Sequence, residues 1–323
     1  MFTNISPRIL FALFAVSLLL NTARAQTESP IKPNDVIALV GGEDMVALSE
    51  QGSLELLLLR AYPTYHLRFR SLAWEGDTLS EQHRDLNYPE PELQLNKIGA
   101  TVVIMQFGKM ESFGKFARFT PFNGIFRDLL TQLRGENRRI IILPSTPFEK
   151  KTEGPDLSEQ NAILAQYTAA LPGLAKEYNA TYIDLADHGD KEKLPPLSTR
   201  DGVHLDEAGL DALALRFGAA LGLDHHPLYR KGLFTDAGMS EMMSQLQLRT
   251  LIQEKNRLWF NYYRPQNWAF LAGDRTNQPS SRDYLDPSKR WFPAEMEEWL
   301  PLVEAKEKAI DQKARELYAP HQP

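Results

Sequence analysis

Apolar residues in the first two thirds of this chain come in two patterns. Val36 to Val40 is a short unbroken run, and further strand-like runs span Leu67 to Leu72, Thr101 to Phe107, Arg139 to Leu143 and Thr181 to Leu185. Continuous runs of this length read as strands buried on both faces, as in a parallel sheet. Between them lie longer segments, Met45 to Ala61, Asn123 to Arg134, Ser158 to Tyr178 and Asp206 to Leu221, whose apolar positions read as helices. Alternation of the two predicts an α/β fold with a parallel sheet covered by helices on both faces. The loops at the carboxyl ends of the strands are then the expected site.

From about Leu223 the strand signals stop. The chain becomes rich in Trp, Tyr, Pro and Arg and ends in a helical stretch from Pro293 to Leu317. We therefore expect a domain over residues 35–222, a boundary near residues 222–232, and a mainly helical, partly irregular extension over 223–323. Asn267 to Pro293 has little periodicity, and its aromatic residues favour a loop ordered by packing. At the other end, Arg8, the apolar run Ile9 to Leu20 and Ala23-Arg24-Ala25 before Gln26 have the form of a cleaved export leader over residues 1–25. The competing reading is an uncleaved anchor, but the run is short of the ~20 apolar residues a span needs. A polar linker over 26–34 follows, and the expected location is periplasmic or secreted, from a bacterium.

Composition narrows the function by exclusion. A chain of 323 residues that is 43% hydrophobic can bury one full α/β core and leave an appendage. A net charge of -6, with no basic stripe, gives no reason to expect nucleic acid as a partner. The absence of cysteine removes disulfides, thiolate metal sites and a cysteine nucleophile. No cofactor is expected, and no membrane span once the leader is removed; a small neutral or mildly polar substrate fits best.

Candidate chemistry concentrates at Asp201-Gly202-Val203-His204-Leu205, just before the last helix of the first domain. A carboxylate and an imidazole three residues apart form a natural acid/base pair. With the following Asp206-Glu207-Ala208-Gly209, this block resembles the Asp-x-x-His block that closes SGNH (GDSL-like) hydrolases, and the resemblance runs from about Asp35 to Leu221. It implies a flavodoxin-like three-layer α/β/α sandwich. It also implies ester hydrolysis by a Ser nucleophile, with His as base, Asp orienting it, and a Gly N–H and an Asn side chain as oxyanion donors.

Two of those parts are replaced here. After the first strand the chain reads Gly41-Gly42-Glu43, so Glu43 stands where the resemblance implies the nucleophile. A carboxylate there can act as a base on water with His204, or as a nucleophile; alternatively, Glu43 or Asp44 is an N-cap or first-turn acid serving the helix dipole. Gly76, in Leu72-Ala73-Trp74-Glu75-Gly76-Asp77, matches the family's oxyanion glycine, or is only a turn residue. In Phe107-Gly108-Lys109-Met110-Glu111-Ser112, Met110 takes the place of the oxyanion Asn, with Lys109, Gln106 and Ser112 nearby as substitute polar groups.

The expected activity is thus hydrolysis of a carboxylic (acyl or acetyl) ester of a small molecule or carbohydrate, with Glu43 and His204 acting on water, Asp201 orienting His204 and Gly76 donating to the oxyanion. The rival is an inactive member of the fold that binds a carbohydrate or other ligand. A third reading is a metal site from Glu43, Asp44, Asp77 and His204. The tail Glu254-Lys255-Asn256-Arg257-Leu258-Trp259-Phe260, with Arg264-Pro265-Gln266-Asn267-Trp268 and Gly273-Asp274-Arg275, is similar to that of environmental bacterial SGNH-like proteins that also depart at the Ser. Its Trp, Tyr, Arg and Asn residues suit either sugar stacking or packing against the sheet domain.

Overall fold

The computed structural model describes residues 29–114, 119–186, 194–223 and 236–319. The expected leader lies outside them, and so does most of the expected boundary. Residues 31–323 form one compact unit. Ile31, within the expected linker, is already buried against the core.

The five apolar runs are strands: β1 (Val36–Gly41), β2 (Arg68–Ser71), β3 (Val102–Gln106), β4 (Arg139–Leu143) and β5 (Thr181–Tyr182). They pair in parallel in the order β2-β1-β3-β4-β5. This is the flavodoxin-like doubly wound order, whose strand sequence reverses between β1 and β3, and ligands of such sheets bind where it reverses. Every residue of β1 is buried, because the sheet is covered on both sides. Ile37, Leu39, Ile104 and Leu143 face one core, while Ala38, Val40, Met105 and Ile142 face the other.

The first core is closed by α1 (Glu43–Gln51), α2 (Ser53–Ala61) and α6 (Glu207–Ala220). The second is closed by α3 (Pro91–Lys97), α4 (Phe119–Arg134) and α5 (Ser158–Glu177). The single helix expected over Met45 to Ala61 is two helices. Gly52 breaks it with φ of 76°, and a Cβ there would sit 2.6 Å from Ile252 Cγ2. Glycine supplies both the left-handed turn and the clearance. The expected Thr181 to Leu185 run pairs only at Thr181 and Tyr182, at the sheet edge.

The C-terminal extension is mainly helical, as expected. The long helix α7 (Asp236–Tyr263) is followed by α8 (Trp268–Leu271), α9 (Trp291–Glu297) and α10 (Trp299–Tyr318). Helices α7 and α10 pack along each other and cover the β2 edge of the sheet, an arrangement that removes an exposed strand edge. Buried ion pairs fix this contact. Lys255 Nζ lies 2.8 Å from Glu55 Oε2, with both side chains almost fully buried, and Arg70 pairs with Glu307. Burial pushes the Glu55 carboxyl up and the Lys255 ammonium down, and the attraction between the two opposes both shifts. No helix of the described residues is long and apolar enough to cross a membrane.

Candidate active site

The loops after β1, β2 and β3 and the turn before α6 meet at the carboxyl edge of the sheet. They enclose a cavity of about 210 Å³ whose wall includes Glu43, Asp44, Gly76, Lys109, Met110, Glu111, Ser145 and His204. Glu43, Gly76, Met110 and His204, distant in sequence and each singled out for its chemistry, thus share one cavity at the strand-order reversal.

Asp201 and His204 are held by a closed turn. Thr199 bridges Leu205, and Arg200 N–H donates to the His204 carbonyl at 2.9 Å. Asp206 then caps α6, its side chain accepting from Gly209 N at 2.8 Å. Glu149, from the loop after β4, accepts from Thr199 N and Oγ1 and braces the turn. Within it, Asp201 Oδ1 accepts from the Val203 and His204 N–H groups at 3.0 and 2.8 Å, and Oδ2 lies 2.6 Å from His204 Nδ1. Burial raises the Asp201 carboxyl, but the His204 N–H, the His204 ring and the Val203 N–H outweigh it and hold the group well below the usual carboxylate range. With Asp201 accepting the Nδ1 proton, Nε2 is the ring nitrogen left for acid/base work. Nε2 has no protein partner among the described residues.

Glu43 is the first residue of α1 and is half-buried in the cavity wall. It is not an N-cap: Gly42 holds that position, and the first turn contains both acids. Glu43 makes no hydrogen bond or ion pair among the described residues, neither to the helix amides nor to His204. Asp44 is the committed acid. Buried to 3% exposure, it takes Lys109 Nζ on both oxygens at 2.9 Å and Thr146 Oγ1 at 2.6 Å.

Gly76 has φ of 80°, a conformation that glycine adopts without strain, and no atom lies within 4 Å of a Cβ built there. Its N–H has no partner among the described residues, so it is available to an oxyanion. Met110 lies in the cavity wall, half exposed, and offers no donor. The three substitute groups are all engaged elsewhere. Lys109 Nζ spends its protons on Asp44 and on the Val203 carbonyl at 2.8 Å, Gln106 Nε2 donates to the Pro144 carbonyl, and Ser112 Oγ donates to the Lys109 carbonyl. Glu111, which the motif comparison passed over, braces the site from below. Its carboxylate accepts from Leu79 N at 2.7 Å and Gly108 N at 2.8 Å, joining the loops after β2 and β3. Burial pushes this carboxyl up, against the pull of those amides.

Among the described residues, no group of three or more His, Cys, Asp or Glu can hold a metal ion. The four-residue metal reading fails on its carboxylates: Asp44 is taken by Lys109 and Thr146, and Asp77 is paired with Arg84 at 2.7 Å through both oxygens. In the extension, the indoles of Trp259 and Trp268 donate to the Ser71 and Leu86 carbonyls, and Trp291 donates to Ser280. These three rings serve packing.

No curated protein sequence matches the chain. Among solved structures, a gut microbial diltiazem-metabolizing enzyme superposes with a TM-score of 0.56 at 12% identity, over 91% of this chain and 96% of that one. An alpha/beta hydrolase enzyme from the metagenome of Lake Arreo, Spain, gives 0.46 at 16% identity over 60% and 98% of the two chains. An acetylxylan esterase from Geobacillus stearothermophilus, as a catalytic mutant, gives 0.45 at 16% identity over 61% and 98%. The GDSL-like Lipase/Acylhydrolase family model matches residues 33–212, which is more than half of the sequence and contains every residue of the cavity wall. The chain belongs to the GDSL-like lipase/acylhydrolase family.

Proposed function

We propose that this protein hydrolyses carboxylic esters with water, in place of a serine, as the nucleophile. The observation that carries the reading is the Asp201–His204 pair, 2.6 Å apart, whose His204 lines a cavity also lined by Gly76, with an N–H that has no partner among the described residues. His204 Nε2 takes a proton from water as the hydroxide oxygen bonds to the ester carbonyl carbon. The oxyanion accepts from Gly76 N–H and lies near the amino end of α1, where backbone N–H groups lack intrahelical partners. Collapse expels the alcohol, which takes the proton from His204. Glu43, with both carboxylate oxygens unengaged, accepts from the second proton of the water and orients it.

The natural substrate in this reading is an acyl or acetyl ester of a small molecule or carbohydrate. Export before action is part of the proposal and rests on the sequence pattern of residues 1–25.

Two features favour the rival, a ligand-binding member that has lost turnover: Met110 gives no oxyanion donor, and no hydrogen bond joins Glu43 to His204. Hydrolysis of 4-nitrophenyl acetate and acetylated xylobiose by wild type, His204→Ala, Glu43→Gln and Glu43→Ser separates the readings. We expect wild-type turnover that is abolished in His204→Ala and cut at least tenfold in Glu43→Gln. Turnover confined to Glu43→Ser would establish the binding module instead.

A further inference from the structure

The loop that carries Gly76 is gripped from both sides by arginines. Preceding Gly76, Glu75 Oε2 lies 2.7 Å from Arg264 Nη1, a close ion pair without the alignment of a hydrogen bond. Following it, Asp77 takes Arg84 through both oxygens at 2.7 Å. Both guanidinium groups also lie against one ring, that of Trp74, with their carbons 4.1 Å (Arg264) and 4.2 Å (Arg84) from its centre. Arg84 is local, but Arg264 follows α7 and belongs to the extension, outside the matched family region. It does not act alone. Trp259 Nε1 donates to the Ser71 carbonyl at 2.7 Å and Tyr263 Oη to the Leu72 carbonyl at 3.2 Å, so α7 and the residue after it hold the chain at three points from Ser71 to Glu75.

A glycine at positive φ with open space where a Cβ would stand has wide conformational freedom, yet an oxyanion donor works only if its N–H is already aimed. The residues on either side of Gly76 are the ones tied down. We propose that Arg264, together with Arg84, is a positioning residue that aims the Gly76 N–H, and that the C-terminal extension is thereby part of the working site. This rests on the ester-hydrolase reading. Aim matters most to the transition state, where the oxyanion is fully formed, so loss of Arg264 should fall on kcat and spare KM.

The test uses 4-nitrophenyl acetate kinetics and hydrogen–deuterium exchange over residues 72–79 for the wild-type chain, Arg264→Met and Arg264→Lys. Arg249→Met serves as the control: Arg249 pairs with Asp211 at 2.9 Å, tying α7 to α6 away from the loop. We expect kcat to fall about a hundredfold in Arg264→Met, the scale of a misplaced catalytic group, with KM within about twofold. Arg264→Lys keeps the charge for Glu75 but loses the flat contact with Trp74, and should fall about tenfold. Exchange over 72–79 should accelerate in Arg264→Met alone. An equal kcat loss in Arg249→Met, or a KM rise at constant kcat, would overturn the proposal. A wild type without turnover overturns the hydrolase reading; exchange then judges the clamp, with acceleration upholding the positioning of the loop and unchanged exchange overturning it.

Discussion

Replacing Lys109 by Met tests whether the floor of the cavity is held by a buried charge pair. The ammonium contacts both Asp44 oxygens at 2.9 Å and the Val203 carbonyl at 2.8 Å, and the two charged side chains are 14% and 3% exposed. Met keeps most of the stem and removes the charge, which leaves the Asp44 carboxylate with Thr146 Oγ1 at 2.6 Å and its place in the first turn of α1. Breaking a buried pair from one side costs about 3–5 kcal/mol, and the helix amino terminus returns up to about 2. With the full return, a net loss of about 1–3 kcal/mol follows, or a fall in Tm of roughly 2–12 °C at about 2–4 °C per kcal/mol. Urea unfolding at pH 7 of wild type, Lys109→Met, Asp44→Asn and the double variant measures it. The double variant should be less damaged than the sum of the singles, because removing both charges leaves none stranded. A Lys109→Met chain within about 0.5 kcal/mol of wild type, or strictly additive effects, would refute the reasoning. Because Lys109 also holds the carbonyl next to His204, ester turnover should drop with it.

Two further outcomes follow from the site. Asp201 is held below the usual carboxylate range, so its stabilisation is complete above the unfolded pKa of about 3.9 and is lost only as pH falls through the folded value. The stability gap between wild type and Asp201→Asn, read from urea midpoints, should be equal at pH 7 and pH 5 and shrink only below about pH 4; a gap already shrinking between 7 and 5 would contradict the assignment. Gly76→Ala meets no atom within 4 Å, so its cost should be that of a left-handed backbone alone, about 1–2 kcal/mol by thermal melt, with a larger loss in kcat than in KM.

Much of the fold was legible because a parallel sheet leaves a direct mark: strands buried on both faces must be largely apolar runs, and β1, β3 and β4 are, whereas β2 is Arg-Phe-Arg-Ser with only its two middle residues buried. The Asp201–His204 turn was legible because both partners sit within four residues. What the sequence hid were contacts between distant positions. Nothing local marks Lys109 as the partner of Asp44, 65 residues away, or Arg264 as the partner of Glu75. The break at Gly52 was hidden for the same reason, since the clearance that demands glycine comes from Ile252. The tail aromatics read equally well as ligand platforms or as packing, and it took the carbonyls of Ser71 and Leu86 to decide for packing in Trp259 and Trp268.

The two acids at the start of α1 show how one turn can divide labour. Asp44 is buried, paired and bonded, which makes it a structural anchor whose charge is spent on Lys109 and Thr146. Glu43, one residue earlier, is half-buried, faces the cavity and has no partner among the described residues. A helix amino terminus interacts with a carboxylate without consuming all its lone pairs, so Glu43 keeps acceptor capacity for a hydrogen bond from water. An acid kept for the dipole alone would need no place in the cavity wall that His204 also lines. Its position there is why Glu43→Gln, which removes the charge but keeps the shape, is the informative substitution: it replaces an unengaged carboxylate in that wall by an amide of the same size.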